Sequence, residues 1–422
     1  MERELPKGWC VNDRGELRRE TIHSMLRRLP GWNYRQPWIY QITITCADRA
    51  ASPLGQIVVR SRTALAARTK HLAGGEWISL VDARGQFAPE DVEAHVDYTP
   101  LGAAIRALFE RFPEFTPEIR PLACQIMPDH LHFIVHVTRE MKRPLGNAIG
   151  GFKTGCEKIF RQMGGSGHLF AEGFQDTILF HEGQLDNMFS YLADNPRRRA
   201  VKALFPDLFT VVRELAVPLF LDNGAGCPVP RAKARGYFSA IGNRFLLQRH
   251  LVQVQCSRSL FAYARVPKPG GGTKIARNAQ GEPIIQKSTP EFEERKAAFF
   301  TAARHGAVLI SPCVSEGERQ IAHEAFKAGL PLVTLHNKGF SRLFKPSGRY
   351  FDACSQGRLL MLAPAAWPHQ PGEKAMTRND ATAMNHLCQW IAGPGAAEIN
   401  YHGLQPANID ALAQAAARVV RG

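Results

Sequence analysis

The chain has 422 residues, 45% hydrophobic and 22% charged, the balance of an ordinary soluble globular protein with room for two or three domains. Its 53 Lys and Arg against 38 Asp and Glu leave a net charge of +15, so a polyanionic partner is expected, and nucleic acid is the commonest. Nine scattered cysteines without a C-x-x-C pair argue against a zinc ribbon or disulfide framework; with no apolar leader and no membrane-length span, the expected compartment is a reducing cytoplasm, without membrane contact.

Residues 1–36 are arginine-rich, end in "RRLPGWNYRQP" and read as a basic arm. "WIYQITITC" (38–46) is a strong strand signal, rich in β-branched and aromatic residues. A Thr-Pro start opens a helix over 99–115, and "EIRPLACQIMPDHLHFIVHV" reads as strand, turn and strand. "LGNAIGGFKTGCEKIFRQM" (145–163) is a second helix, "GGSGHLFAEGFQDTILF" a loop and strand, and a third helix runs up to Asn195-Pro196. This alternation predicts an α+β unit, a sheet covered by helices. Pro and Gly punctuation over 206–235 predicts a linker, and 266–283 a mobile basic loop. Short apolar strands separated by helices then predict a parallel, doubly wound α/β sheet within 236–422.

Within "MPDHLHFIVHV", His130 and His132 are two residues apart on a strand, so they project to the same face, and His136 continues it. Leu131, Phe133 and Val135 point the other way, toward a core. Two imidazoles so placed serve equally as hydrogen-bonded groups on a solvated face or as ligands of one divalent cation. The third helix brings Tyr191 and, one turn later on the same face, Asn195. A phenol ordinarily titrates near about 10 and must be activated to attack phosphorus. A cation on the histidines, with the Asn195 amide oxygen as third ligand, would polarise a scissile phosphate for that attack. The competing readings are a half-buried helix tyrosine and an asparagine that merely ends a helix before Pro196.

The blocks "MPDHLHFIVHV", "GGFKTGCEKIF", "HLFAEGFQDTIL" and "YLADNPRRRAV" resemble, in order and approximate spacing, the REP-associated tyrosine transposases, single-tyrosine relatives of insertion-sequence transposases with a His-hydrophobic-His motif. The resemblance covers residues 36–205. It implies an HUH-type antiparallel sheet over 37–205, with His130, His132 and Asn195 as ligands of Mg2+ or Mn2+ and Tyr191 as the nucleophile. Lys153, a candidate DNA contact, matches a basic position and Asp176 an acidic one. The expected activity is cleavage and transfer of single-stranded or hairpin DNA through a 5′-phosphotyrosine, by a homodimer. Arg197, Arg198 and Arg199 stand where the family has small apolar residues; with Arg18, Arg19, Arg27 and Arg28 of the arm they are candidate DNA contacts. The arm and an insertion over 47–98 are further departures.

"VLISPCVSEGERQIAHEAFKAGLPLVTL" is similar to the Rossmann-like core of DNA-processing protein A and of lysine-decarboxylase-like proteins. That likeness implies phosphate binding by Ser311, Ser315, Gly317 and Glu318 at a strand-to-helix turn, where a structural βαβ turn is the alternative. A DNA-binding regulator without catalysis and a nucleotide-processing enzyme with its site in the C-terminal domain are the competing functions.

Overall fold

Period-two alternation in the strand Trp38–Thr45 sends Tyr40, Ile42 and Ile44 to one face, where all are fully buried. In the computed structural model this strand lies inside a four-stranded antiparallel sheet, ordered Ile119–Met127, His130–Val137, Trp38–Thr45, Gln175–Ile178. The described residues are 9–11, 17–19, 29, 31–61, 78–80, 88–181, 183–220, 235–268, 271–279, 281–342, 344–369 and 376–393. The register sets Thr43 opposite His132 and Ile42 opposite Phe133, so the histidines share a face with Thr43, and the apolar partners share the other.

That apolar face is covered by the helices Pro100–Glu110 and Leu145–Gln162, which contribute Ile105, Phe109, Ile149, Phe152 and Cys156 to one core. Phe133 is its centre, with ring centroids 5.1 Å from Phe109 and 5.5 Å from Phe152. Burying each such ring stabilises by about 1.5–3 kcal/mol. Thr99 caps the first helix by accepting from the Gly102 N–H at 3.1 Å, and Pro100 fills N1. A Cβ at Gly102 would fall 2.1 Å from the Leu54 carbonyl oxygen, so only glycine permits this close approach. The expected insertion over 47–98 includes a three-stranded sheet ordered Ile78–Ser79, Gly55–Ser61, Val92–Tyr98.

The helix expected to stop at Asn195-Pro196 instead runs from Gln184 through Pro196 to Leu204. Past the proline, Ala200 and Val201 are fully buried, and packing of that face outweighs the proline's penalty. The chain divides into two units, Met1–Arg84 with Glu93–Ala200, and Gly85–Val92 with Val201–Gly422.

The second unit contains a six-stranded sheet ordered Val212–Pro218, Arg235–Gly242, Leu359–Pro364, Leu332–Leu335, Val308–Ser311, Leu251–Gln253. Its last four strands are parallel and the first two antiparallel, so the sheet is mixed rather than uniformly parallel. Val212–Pro218, inside the expected linker, is its edge strand. The parallel strands Val308–Ser311, Leu332–Leu335 and Leu359–Pro364 are buried throughout, as the apolar runs require. The helix Arg378–Ala392 supplies Met384, Leu387, Trp390 and Ile391 to a core with Leu251, Val308, Ile310 and Val333. Within the expected basic loop, Arg265–Pro267 pairs with Thr273–Ile275 as a two-stranded ribbon. The fold is thus α+β, with antiparallel sheets in the first unit and a mixed sheet in the second.

Candidate active site

The two histidines are built into a hydrogen-bonded chain. Asp129 Oδ1 lies 2.7 Å from His130 Nδ1, and His132 Nδ1 lies 2.8 Å from Thr43 Oγ1 and 3.2 Å from the Gln41 amide nitrogen. With both Nδ1 atoms engaged, the Nε2 atoms of His130 and His132 face one another at 3.1 Å. The Gln41 amide nitrogen can only donate, so His132 Nδ1 accepts and its Nε2–H donates to His130 Nε2; a cation between the two Nε2 atoms would take the place of that proton. Two metal–nitrogen bonds of about 2.0–2.1 Å, the zinc range, at octahedral or tetrahedral angles put their nitrogens roughly 2.8–3.4 Å apart, which brackets the observed separation.

Asp129, read from sequence only as part of a turn, is 2% exposed and anchors this chain. Arg49 donates to its Oδ2 through Nε at 2.9 Å and Nη2 at 2.8 Å, and Arg199 Nη1 lies 3.3 Å from Oδ1. Burial alone would raise the Asp129 pKa, but the bonds from His130 and Arg49 and the charge of Arg199 hold it well below the usual carboxylate range. Burial pushes His132 down to about 3, with the neighbouring His130 adding to the shift, so this imidazole is neutral, the charge state that a metal ligand needs.

The tyrosine helix crosses the same face. The Tyr191 ring meets His132 edge-on with centroids 6.0 Å apart, and it is 40% exposed. Eight residues on, Arg199 reaches Asp129. Asn195 lies between these two anchors on the i, i+4, i+8 face of the helix. It is 8% exposed, and its amide Nδ2 is buried without a hydrogen-bond partner. The two ends of an amide are interchangeable by a flip, so this orphaned position suits an oxygen ligand as well as a donor. Among the described residues no group of three or more His, Cys, Asp and Glu is arranged to hold a metal. A cation on the histidine pair would therefore need an amide or substrate oxygen as well.

The other residues singled out in the sequence are engaged elsewhere. Arg197 bonds Asp194 at 2.5 and 3.0 Å, Arg198 reaches the same carboxylate at 3.3 Å, and the Arg198 guanidinium lies 5.5 Å from the Tyr191 ring centre. These arginines brace their own helix, and Arg199 braces Asp129. Lys153 donates to the carbonyls of Ala171 and Gly173 at 2.7 and 2.9 Å, and burial lowers its pKa. It fastens the loop before the strand Gln175–Ile178. Asp176 Oδ2 accepts from the Tyr34 hydroxyl at 2.9 Å. Arg27 and Arg28 lie outside the described residues, as do the side chains of Arg18 and Arg19.

In the second unit, Ser315 and Glu318 form a reciprocal capping box at the start of the helix Glu316–Lys327. Glu318 Oε2 accepts from the N–H groups of Val314 and Ser315 at 2.8 and 3.0 Å, so a carboxylate already occupies the donors that a phosphate would need. Ser311 Oγ accepts from Cys313 N–H at 3.1 Å, and a Cβ at Gly317 would lie 2.2 Å from Cys256 Sγ. These four residues are bound up in the turn itself.

No protein-family model and no curated protein matches the chain. Among solved structures it aligns with a REP-associated tyrosine transposase bound to a REP hairpin, at a TM-score of 0.25 and 11% identity, covering 41% of this chain and 74% of that one. At that score the likeness carries no weight beside the geometry. No helix among the described residues is long and apolar enough to cross a membrane.

Proposed function

We propose that the N-terminal unit is an HUH-type, metal-dependent endonuclease and strand transferase acting on single-stranded DNA beside a hairpin, with Tyr191 as nucleophile. The observation that carries this reading is the meeting, on one sheet face, of the paired histidine Nε2 atoms and a half-exposed phenol, with a buried, unpartnered amide one helical turn beyond that phenol. A divalent cation, Mg2+ or Mn2+, bound by His130, His132 and Asn195 would supply Lewis-acid polarisation of the phosphate. The chain's own residues do the rest. Asp129 holds His130 in the tautomer that leaves Nε2 free, and Thr43 and Gln41 orient His132. Arg198 lies against the Tyr191 ring, its guanidinium 5.5 Å from the ring centre, and helps to fix where the phenol points. Attack of the Tyr191 oxygen on phosphorus forms the 5′-phosphotyrosine bond and breaks the P–O3′ bond, and the phenol's proton ends on the departing 3′-oxygen. The phosphodiester's free energy is retained for the return attack by a 3′-OH. The Rossmann-like character of the second unit, and assembly as a homodimer, belong to the same proposal.

The test is incubation of the full chain with single-stranded and hairpin oligonucleotides and Mn2+, followed by denaturing gels. A covalent adduct is expected for the wild type and none for Tyr191→Phe, which keeps the ring packing but lacks the attacking oxygen. Equal adduct from Tyr191→Phe would overturn the assignment.

A further inference from the structure

The strand that starts at His130 ends at Val137, roughly 24 Å away at the usual rise per residue. There a groove of about 1010 Å³ opens between the helix Leu145–Gln162, the short helix Phe112–Phe115 and the loop over 138–144. The loop is fixed in place. Met141 is buried, its N–H donates to the Arg35 carbonyl at 2.8 Å, and Arg35 Nε returns a bond to the Met141 carbonyl at 2.9 Å. Arg35 also pairs with Glu140 at 3.3 Å. On either side of this plug, Arg139, Lys142 and Arg143 are exposed and make no ion pair with any described residue. The groove has an aromatic component as well. Phe112 and Phe152 stack at 5.5 Å with planes 18° apart, and Phe115 at the rim is 63% exposed with the Arg111 guanidinium 5.5 Å from its centre. Gly151 leaves the helix wall bare, since a Cβ there would have nothing within 4 Å.

We propose that this groove is a second nucleic-acid site, holding a single-stranded segment several nucleotides from the histidine pair, with Arg139, Lys142 and Arg143 on its phosphates and Phe115 stacked on a base. Unpaired cations beside an exposed aromatic ring are the two parts of a sequence-tolerant single-strand platform. The choice of DNA rests on the reading of the histidine site; the charge and the ring argue for a single strand in either case. The loop's fixed anchoring means that the cations are held in position before the strand arrives.

The experiment measures binding of a fluorescent oligodeoxythymidylate to the full chain by anisotropy, across a salt series and without divalent metal. Wild type is expected to bind with a strongly salt-dependent affinity. Gly151→Leu fills the groove at a position with open space, and should weaken binding at least fivefold while the melting temperature holds or rises, since leucine is the better helix former. Phe115→Ala should weaken it about fivefold or more, the loss that one base–aromatic stack carries. Arg143→Gln should lower the log–log salt slope by about 0.7. Wild-type affinity in Gly151→Leu overturns the groove, as does an absence of oligonucleotide binding by the wild type. Adduct formation at Tyr191 is scored separately, so loss of adduct with intact groove binding would fall on the proposed function alone.

Discussion

Asn195→Ala tests by the sign of a stability change whether its amide is an orphan waiting for a ligand or a group satisfied within the helix. The residue lies in the helix interior, 8% exposed, with an amide nitrogen that has no partner. An unsatisfied buried polar group costs about 1–3 kcal/mol, and alanine removes it. Alanine is also the better helix former, by roughly 0.5 kcal/mol. Against this stands the small void left by truncation, about 1 kcal/mol for a side chain of this size. The balance predicts that in EDTA the variant is more stable than wild type by about 0.5–2.5 kcal/mol. With Mn2+ the order should reverse, because wild type gains about 2.7 kcal/mol at a hundredfold excess over the dissociation constant and the variant gains less. Urea and thermal unfolding with and without Mn2+ measure both terms. A loss of 1 kcal/mol or more in EDTA would mean that the amide is satisfied within the metal-free protein, and the argument from its orphaned atom would fail.

Asp129→Asn leaves Arg49 and Arg199 facing a neutral group; because both arginine side chains are partly exposed, the cost should lie near the lower end for a broken buried pair, about 3 kcal/mol by urea unfolding, and a neutral result would show that the carboxylate does not anchor the site. His132 stays neutral in the fold down to about 3 whereas the unfolded chain protonates it below about 6.5. Stability should therefore fall as pH drops through that window by up to about 1.4 kcal/mol per unit, and His132→Gln should flatten the slope; an unchanged slope would place the titration elsewhere. The depressed Asp129 adds a further loss below pH of about 4, where the unfolded carboxyl takes up a proton that the folded one refuses. Gly317→Ala drives a Cβ to 2.2 Å from Cys256 Sγ and should cost about 1–3 kcal/mol, with Cys256→Ala in the same chain restoring most of it if the clash is the cause.

The strand pair around His130 was legible because period-two alternation is local, and the helix Leu145–Gln162 because its apolar spacing is. What orients the histidines was not. Thr43, Gln41 and Arg49 come from chain some 80 to 90 residues earlier, and only the register of Trp38–Thr45 against His130–Val137 brings them together. A partial signal existed, since Gln41 and Thr43 are polar residues at alternate positions of an otherwise apolar strand. The continuation past Pro196 was hidden because a local breaker was outweighed by burial of Ala200 and Val201. Asp194 three and four residues before Arg197 and Arg198 was a readable sign that those charges close on their own helix. In the second unit, S-x-x-E at 315–318 is a capping-box spacing, which explains the turn without a bound anion.

Pro196 gives the tyrosine helix a mechanical asymmetry. Having no N–H, it leaves the Leu192 carbonyl without its intrahelical donor, one residue beyond Tyr191. The segment after the proline is tethered to the histidine strand through Arg199 and Asp129, while Tyr191, before it, is joined to the tether across a turn that lacks a rung. The compliance of the rod is thus concentrated next to the phenol. On the function proposed above, Tyr191 would swing toward or away from a bound strand while the histidine face stays registered, and a covalently held DNA end would be carried on the moving half without dragging the histidines with it.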